Sequence, residues 1–130
     1  MKLSVITVVL EDPNGLYKTL ESLSKINNSI ECIVVNGGSD EATNDIVKQY
    51  KHLITTLIHE KDDGVYDAMN KGIRVSSGDI ITFLNAGDLA LQNYIKDIVS
   101  CIGQYDYLYA GVNLVSKNGN LLKKIPKKVL

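Results

Sequence analysis

The sequence predicts an α/β fold in which a mostly parallel sheet is flanked by helices. Short apolar runs that are rich in β-branched residues alternate with segments whose apolar residues recur at helical spacing. The first runs are almost continuously apolar, which is typical of parallel strands that are covered on both faces. The connections are short, as they are in right-handed strand–helix–strand units.

Length and composition indicate one ordinary domain over residues 1–130, 45% of them hydrophobic. The 14 Lys and Arg residues against 15 Asp and Glu residues give a net charge of -1, so no global field favours nucleic acid as a partner. The sequence contains neither a CxxC pair nor a Cys/His pattern of the kind that binds structural zinc. Because Cys32 lies in an apolar run, we expect a reduced thiol and a cytoplasmic protein.

Two strand–helix pairs are predicted in the first part of the chain. Leu3–Leu10 is the first strand, and Asp12-Pro13 can cap and begin a helix that reaches about Ile26. Ile30–Val35 is a second buried strand. It ends in the polar loop Asn36–Asp40, whose glycines let a ligand approach the backbone closely and whose Ser or Asp can cap the next helix.

The pattern then repeats with shorter strands. Thr55–His59 is a weaker third strand, and the acidic loop Glu60–Gly64 leads into a helix from about Val65. We expect one face of this helix to pack, and it carries Val65, Met69, Gly72 and Ile73. The other face should look outward, and it carries Asp67, Asn70, Lys71 and Arg74. Asp79–Leu84 is predicted as a short buried strand.

The last part of the chain predicts a helix and an antiparallel hairpin. Apolar residues at helical spacing run from Leu91 to Ile102, and Tyr105–Val115 contains a further strand. Asn118-Gly119 is a hairpin signal before Leu121.

The turn Asn85-Ala86-Gly87-Asp88 follows a predicted parallel strand directly. Ligands of open α/β sheets bind outside the carboxyl ends of the strands, so this turn is the first candidate for a ligand site. The first strand is not followed by GxGxxG, and GxxxxGK[ST] does not occur. A dinucleotide dehydrogenase and a P-loop NTPase are therefore disfavoured.

Four segments together resemble family 2 glycosyltransferases of the GT-A fold. They are ITVV at Ile6–Val9, VVNGGSDEAT at Val34–Thr43, DDGVYDAMNKGI at Asp62–Ile73 and GDIITFLNAGD at Gly78–Asp88. The subgroup that they resemble builds bacterial capsule, exopolysaccharide and lipopolysaccharide chains. The resemblance implies transfer of a sugar, with inversion, from a nucleotide-sugar donor, typically a UDP-sugar, to a saccharide or lipid-linked acceptor.

The resemblance also implies a divalent metal, Mn²⁺ or Mg²⁺, with Asp88 as its protein ligand. A hard cation neutralises the charge that develops on a diphosphate leaving group. Asn85 and Gly87 stand where relatives often carry aspartates, so we expect weak metal binding in the absence of nucleotide. The alternative is that Asp88 is a solvated carboxylate that caps the following helix.

The implied donor pocket draws on all four segments. Its residues are Thr7, Val9, Glu11, Asn36, Gly38, Asp62, Gly64, Asp67, Asn70, Asn85 and Asp88. Asn36 stands where relatives use an aspartate to accept the uracil N3 hydrogen, and it either accepts that bond without charge or only closes the turn. We expect Asp62 to bind sugar or ribose hydroxyls, and Lys71 and Arg74 to face solvent.

The resemblance leaves the catalytic base unassigned. In relatives, the general base and the acceptor site lie in a second half, which we expect beyond Leu130. The chain is therefore interpreted as the donor-binding part of a glycosyltransferase, with a non-catalytic nucleotide- or protein-binding module as the alternative. The terminal lysines allow peripheral membrane contact, and apolar surface that the second half would cover allows self-association.

Overall fold

The computed structural model describes residues 2–26, 29–100, 112–116, 118 and 120–125. The chain divides into two units, residues 1–95 and 96–130. The sequence predictions that lie outside the described residues concern the helix stop at Asn27-Asn28, Cys101, Ile102, the strand start at Tyr105, Gly119, and the terminal Lys127 and Lys128.

The first unit is built on a parallel sheet of four strands. They are β1 (Leu3–Val9), β2 (Ile30–Asn36), β3 (Thr56–His59) and β4 (Ile80–Phe83), in the order β3-β2-β1-β4. Every neighbouring pair in this sheet is parallel. The mostly parallel α/β sheet that the sequence predicts is thereby confirmed.

Three helices connect these strands: α1 (Pro13–Ser24), α2 (Glu41–Gln49) and α3 (Val65–Val75). The predicted caps of α1 and α2 are confirmed. Asp12 accepts a hydrogen bond from the Gly15 N–H at 2.9 Å, and Asp40 accepts one from the Thr43 N–H at 2.9 Å. These side chains satisfy backbone donors that the first turn of a helix leaves unpaired.

The core of the first unit forms around β1, all of whose residues are buried. Ile6 and Val8 pack with Ile33 and Val35 of β2 and with Ala68 of α3. A side chain in place of Gly72 would collide with Ile6, so this glycine lets α3 approach the strand closely. Helix α1 contributes three further buried leucines, Leu16, Leu20 and Leu23.

Two predictions about burial were wrong. Val65 and Ile73 are exposed, because the packing stripe of α3 is centred on Ala68 and Gly72. Ile81 and Phe83 are also exposed, although we expected a buried strand. Strand β4 pairs only with β1 and forms one edge of the described sheet, so fewer groups cover it than cover β1 or β2.

The second unit contains an antiparallel hairpin of β5 (Val112–Val115) and β6 (Leu121–Ile125), as predicted. Its register shifts between Leu114 and Val115. Helix α4 (Tyr94–Ser100) spans the boundary between the units, and it begins after Leu91, which is exposed. Among the described residues, no helix has both the length and the apolar character needed to cross a bilayer.

At the amino ends of β1 and β2, the buried Glu31 carboxylate joins three segments of the chain. It accepts hydrogen bonds from the Ser4 hydroxyl, from the Ser77 N–H at 2.8 Å and from the Ser77 hydroxyl at 2.7 Å. The Lys2 ammonium lies 3.3 Å away. The hydrogen bond from Ser4, followed by those from Ser77, lowers the pKa of Glu31 from 4.5 to about 2.

We predict that Glu31→Gln lowers the free energy of unfolding by about 2 kcal/mol at pH 7, the scale of hydrogen bonds to a charged group. Because the folded-state pKa of Glu31 is below its ordinary value, the stabilisation is fully present above about pH 4.5 and is lost as the pH falls towards 2. Urea denaturation of both proteins between pH 7 and pH 2 measures this change.

Glu41→Gln, at an exposed position in α2, is the control and should lose much less stability than Glu31→Gln. A Glu31→Gln deficit that stays constant over the whole pH range would contradict this assignment.

Candidate functional site

The loops that follow β2 and β4 are both bonded to the end of β1. The Gly37 N–H donates to the Val9 carbonyl oxygen at 3.0 Å, and the Ala86 N–H donates to the Val8 carbonyl oxygen at 3.0 Å. Since β2 and β4 flank β1, these bonds place the polar loops 36–40 and 85–88 on the two sides of one strand end. This edge of the sheet is where open α/β folds bind ligands.

The loop after β4 is a tight turn. The Asp88 N–H donates to the Asn85 carbonyl oxygen at 2.9 Å, and Gly87 has a φ of +98°, as the third position of a type II turn requires. The Asp88 side chain is exposed. The side-chain oxygen of Asn85 is buried and has no hydrogen-bond partner among the described residues. The turn therefore offers a carboxylate and an amide oxygen.

Two hydroxyls of α1 hold this turn and the segment that follows it, and the sequence analysis missed both. The Thr19 hydroxyl donates to the Asp88 carbonyl oxygen at 2.7 Å and accepts from the Gly87 N–H at 3.0 Å. The Ser22 hydroxyl accepts from the Ala90 N–H at 3.0 Å. The available signal was a polar residue inside an apolar helical stripe, since Thr19 lies three positions after Leu16 and four before Leu23.

Asn36 closes the loop after β2. Its side chain is 0% exposed, its Oδ1 accepts from the Gly38 N–H at 3.0 Å, and its Nδ2 donates to Asn44 Oδ1 at 3.2 Å. Of the two roles that the sequence left open, closing the turn is the one for which the structure provides contacts.

The loop after β1 contacts the loop after β2 through Glu11. A Cβ atom on Gly38 would lie 3.0 Å from Glu11 Cγ and 3.1 Å from Glu11 N. Glu11 is exposed and has a φ of +47°, which is uncommon for a residue with a side chain. Such backbone strain is concentrated at functional sites. Thr7 and Val9, in the strand that leads into this loop, are buried, whereas Leu10 and Glu11 are exposed.

The loop after β3 reaches the same place. His59 Nε2 lies 2.7 Å from the Gly38 carbonyl oxygen, and a Cβ atom on Gly37 would collide with the Asp62 carboxylate. Asp62 Oδ1 also accepts from the Gly64 N–H at 3.1 Å, and Gly64 has a φ of +112° with open space around its Cα. The loops after β1, β2 and β3 are therefore in contact with one another.

Lys71 and Asp67 hold the acidic loop against α3. The Lys71 ammonium donates to the Lys61 carbonyl oxygen at 2.8 Å and pairs with Glu60 at 3.1 Å and Asp67 at 3.3 Å. Asp67 in turn accepts from the Asp63 N–H at 2.9 Å, which lowers the pKa of Asp67. The Lys71 side chain is 14% exposed, so the expectation that it faces solvent was wrong.

The neighbouring polar positions of α3 behave differently. Asn70 and Arg74 are exposed, so Arg74 faces solvent as we expected.

The charged groups of these loops are mainly carboxylates, which attract cations. No group of three His, Cys, Asp or Glu side chains comes together as a metal cluster among the described residues. The oxygens of Asp88 and Asn85 are of the type that hard cations prefer, but they fill only part of a coordination shell. Asp88 also lies near Tyr94, whose pKa is raised by burial and then by this carboxylate.

Comparison with known proteins shows similarity to glycosyltransferases. The family model described as Glycosyl transferase family 2 matches residues 4–129. The chain is 30% identical over 120 residues to glycosyltransferase GlyA of Streptococcus pneumoniae, covering 90% of the chain and 17% of that protein. It is 31% identical over 121 residues to glycosyltransferase AglE of Haloferax volcanii, covering 88% of the chain and 38% of that protein.

Solved structures show the same fold. S. aureus TarS, residues 1–349, superposes with a TM-score of 0.71 at 23% identity, over 80% of this chain and 33% of that one. A mannosyltransferase from Pyrobaculum calidifontis, solved with GDP-Man and Mn²⁺, superposes with a TM-score of 0.71 at 18% identity, over 89% of this chain and 36% of that one. The chain spans less than two fifths of the length of each of these four proteins. It has the GT-A fold and belongs to glycosyltransferase family 2.

Proposed function

We propose that this chain binds a nucleotide-sugar donor, typically a UDP-sugar, at the loops that follow β1 to β4. The sugar is then transferred with inversion to a saccharide or lipid-linked acceptor in cell-surface polysaccharide synthesis. The observation that carries this proposal is the pair of backbone bonds to Val8 and Val9, because they bring two polar loops to one strand end. Two structural neighbours support it, since TarS has been solved with UDP and the P. calidifontis enzyme with GDP-Man.

Within this site, we assign the base and sugar to the contacting loops after β1, β2 and β3. In these loops, the backbone that a ligand can approach is that of Glu11, Gly38 and Gly64. Asp62 is placed to accept hydrogen bonds from ribose or sugar hydroxyls. Three of the residues proposed for the nucleotide-sugar pocket are buried and support it indirectly. Thr7 and Val9 support the end of β1, and Asn36 fixes the loop after β2.

Two further donor residues belong to α3. Asp67 acts through the acidic loop, whose Asp63 N–H it binds, and so helps to place Asp62. Asn70 is exposed on the same helix and is available to a ligand hydroxyl.

We assign the diphosphate and a divalent metal, Mn²⁺ or Mg²⁺, to the turn Asn85–Asp88. When bound, the metal supplies positive charge that stabilises the nucleoside diphosphate as it leaves. Asp88 would hold it through its exposed carboxylate, with Asn85 as the neighbouring amide oxygen. Because no three-residue metal cluster occurs in the described part, phosphate oxygens would complete the coordination.

The acceptor side of the reaction is not assigned to described residues. Inverting transfer needs a general base that takes the proton of the acceptor hydroxyl. We propose that the residues described here bind and orient the donor, and that acceptor and base lie elsewhere in the glycosyltransferase. A cytoplasmic location with peripheral membrane contact is consistent with a lipid-linked acceptor. Lys123 near the chain end is exposed and available for that contact.

Thermal melting with UDP, GDP and CMP, each with and without Mn²⁺, tests the donor site. We predict stabilisation by one nucleotide that depends on Mn²⁺, because a ligand that binds only the folded state adds about 2.7 kcal/mol at 100 times its Kd. Asp88→Asn should abolish the Mn²⁺-dependent part of the shift.

The matched control is Asp79→Asn. Asp79 lies at the opposite end of β4, and its carboxylate accepts a hydrogen bond from the Lys2 N–H. This variant should keep the full Mn²⁺-dependent shift. If no nucleotide stabilises the wild-type chain with or without metal, the donor-site proposal fails and the non-catalytic module is favoured.

Asn36→Asp separates the two roles of that residue. Since Asn36 Oδ1 is already bonded to the Gly38 N–H and the side chain is buried, we predict that the Kd of UDP changes by less than about threefold. Isothermal titration in the presence of Mn²⁺ measures it. An increase in affinity of about tenfold or more would instead indicate that residue 36 contacts the base directly.

A further inference from the structure

Thr19 is a polar residue in the middle of the buried face of α1. Its side chain is 0% exposed, and it lies between Leu16 and Leu20, which are also buried. The residue is separated from the turn Asn85–Asp88 by more than sixty positions in sequence. Nevertheless, its hydroxyl contacts three residues of that turn, which makes it the point at which the helix and the turn meet.

The hydroxyl of Thr19 both accepts a hydrogen bond from the backbone of the turn and donates one to it. It accepts from the Gly87 N–H at 3.0 Å and donates to the Asp88 carbonyl oxygen at 2.7 Å, with the Asn85 carbonyl oxygen 3.2 Å away. A hydroxyl can donate one hydrogen bond and accept others, so a single group serves both partners. An aliphatic side chain of the same shape would leave both backbone groups without this partner.

These contacts determine where the Asp88 carboxylate points. The side chain of Asp88 is exposed, so its direction depends on the backbone that carries it. That backbone follows Gly87, which has a φ of +98° and open space around it, and it is therefore poorly restrained by packing on that side. The helix hydroxyl supplies the restraint from the buried side.

We propose that Thr19 is a positioning residue for donor binding, which holds the turn so that the Asp88 carboxylate faces the metal and the diphosphate. This inference rests on the proposed function. It assigns to α1 a part in metal-dependent binding, although Thr19 itself contacts neither donor nor metal. Residues that orient metal ligands from outside the coordination shell typically affect metal affinity by roughly 10- to 100-fold when they are replaced.

The test compares Thr19→Val, which keeps the shape and loses the hydroxyl, with Thr19→Ser, which keeps the hydroxyl. The Kd of the nucleotide selected by thermal melting is measured by titration with and without Mn²⁺. We expect Thr19→Val to raise the Kd with Mn²⁺ by roughly 10- to 100-fold and to change the metal-free Kd much less. Thr19→Ser should restore the Kd with Mn²⁺ to within about threefold of the wild-type value.

Ser4→Ala is the control for loss of stability alone. Ser4 is also a buried hydroxyl that donates and accepts, because it donates to Glu31 and accepts from the Gly78 N–H at 2.9 Å. It lies at the amino end of β1, away from the turn, so Ser4→Ala should lower the melting temperature and leave both Kd values unchanged. If Thr19→Val does not fold, Thr19→Ala takes its place.

Hydrogen exchange of the ligand-free proteins provides a second readout. The amide of Gly87 should exchange faster in Thr19→Val than in the wild type or in Ser4→Ala. If the wild type shows Mn²⁺-dependent binding and Thr19→Val retains it in full, the positioning role of Thr19 is overturned and the proposed function stands. Absence of nucleotide binding by the wild type would overturn the proposed function itself, and the positioning role with it, even if exchange at Gly87 increases.

Discussion

The structure depends on the complete burial of β1. All seven residues of this strand are buried, and β2 and β4 pair with it on its two sides. A strand in this position cannot shift its register without exposing apolar side chains and breaking hydrogen bonds on both sides. The carbonyl groups of Val8 and Val9 are therefore fixed in space, and the loops that they bind are fixed with them.

The two ends of the sheet use buried polar groups for different purposes. At the amino end, Ser4 and Glu31 join the strands to Ser77 and Gly78 through bonds that are satisfied within the protein. At the carboxyl end, Asn36 and Thr19 satisfy the backbone of loops whose outer groups, such as Asp88, remain exposed. Polar side chains stabilise the fold at one end, and at the other they support groups that a ligand can reach.

The sequence was sufficient to predict what local chemistry controls. Apolar runs predicted the strands, Asp12 predicted the start of α1, and the pair Ser39-Asp40 predicted that of α2, because a cap involves only residues three positions apart. The glycines of the candidate loops were also recognised, because the freedom of a glycine backbone is a local property of that residue. The resemblance to glycosyltransferase family 2 also depended on short segments whose order and residue types are visible without a structure.

Contacts between distant segments could not be predicted in this way. Thr19 reaches a turn far along the chain, and Lys71 reaches back ten positions to the Lys61 carbonyl oxygen, so neither partner is visible in the local pattern. The exposure of Ile81 and Phe83 depends on which strand lies at the edge of the sheet, and strand order is a property of the assembled fold. The family resemblance gives Asn36 a role as a base contact, and its place before two glycines gives it a role in the turn. Its bonds to Gly38 and Asn44 could not be predicted from either pattern.

If the carboxyl ends of the strands form one site for a metal-bound nucleotide, Mn²⁺ held there should broaden the backbone amide signals of the residues around it. Addition of Mn²⁺ together with the bound nucleotide should broaden the amide signals of Gly38, Gly87 and Asp88, and leave that of Gly78 at the amino end sharp. Broadening centred on Gly78, or spread evenly over the first unit, would show that the nucleotide-bound metal does not lie at this site.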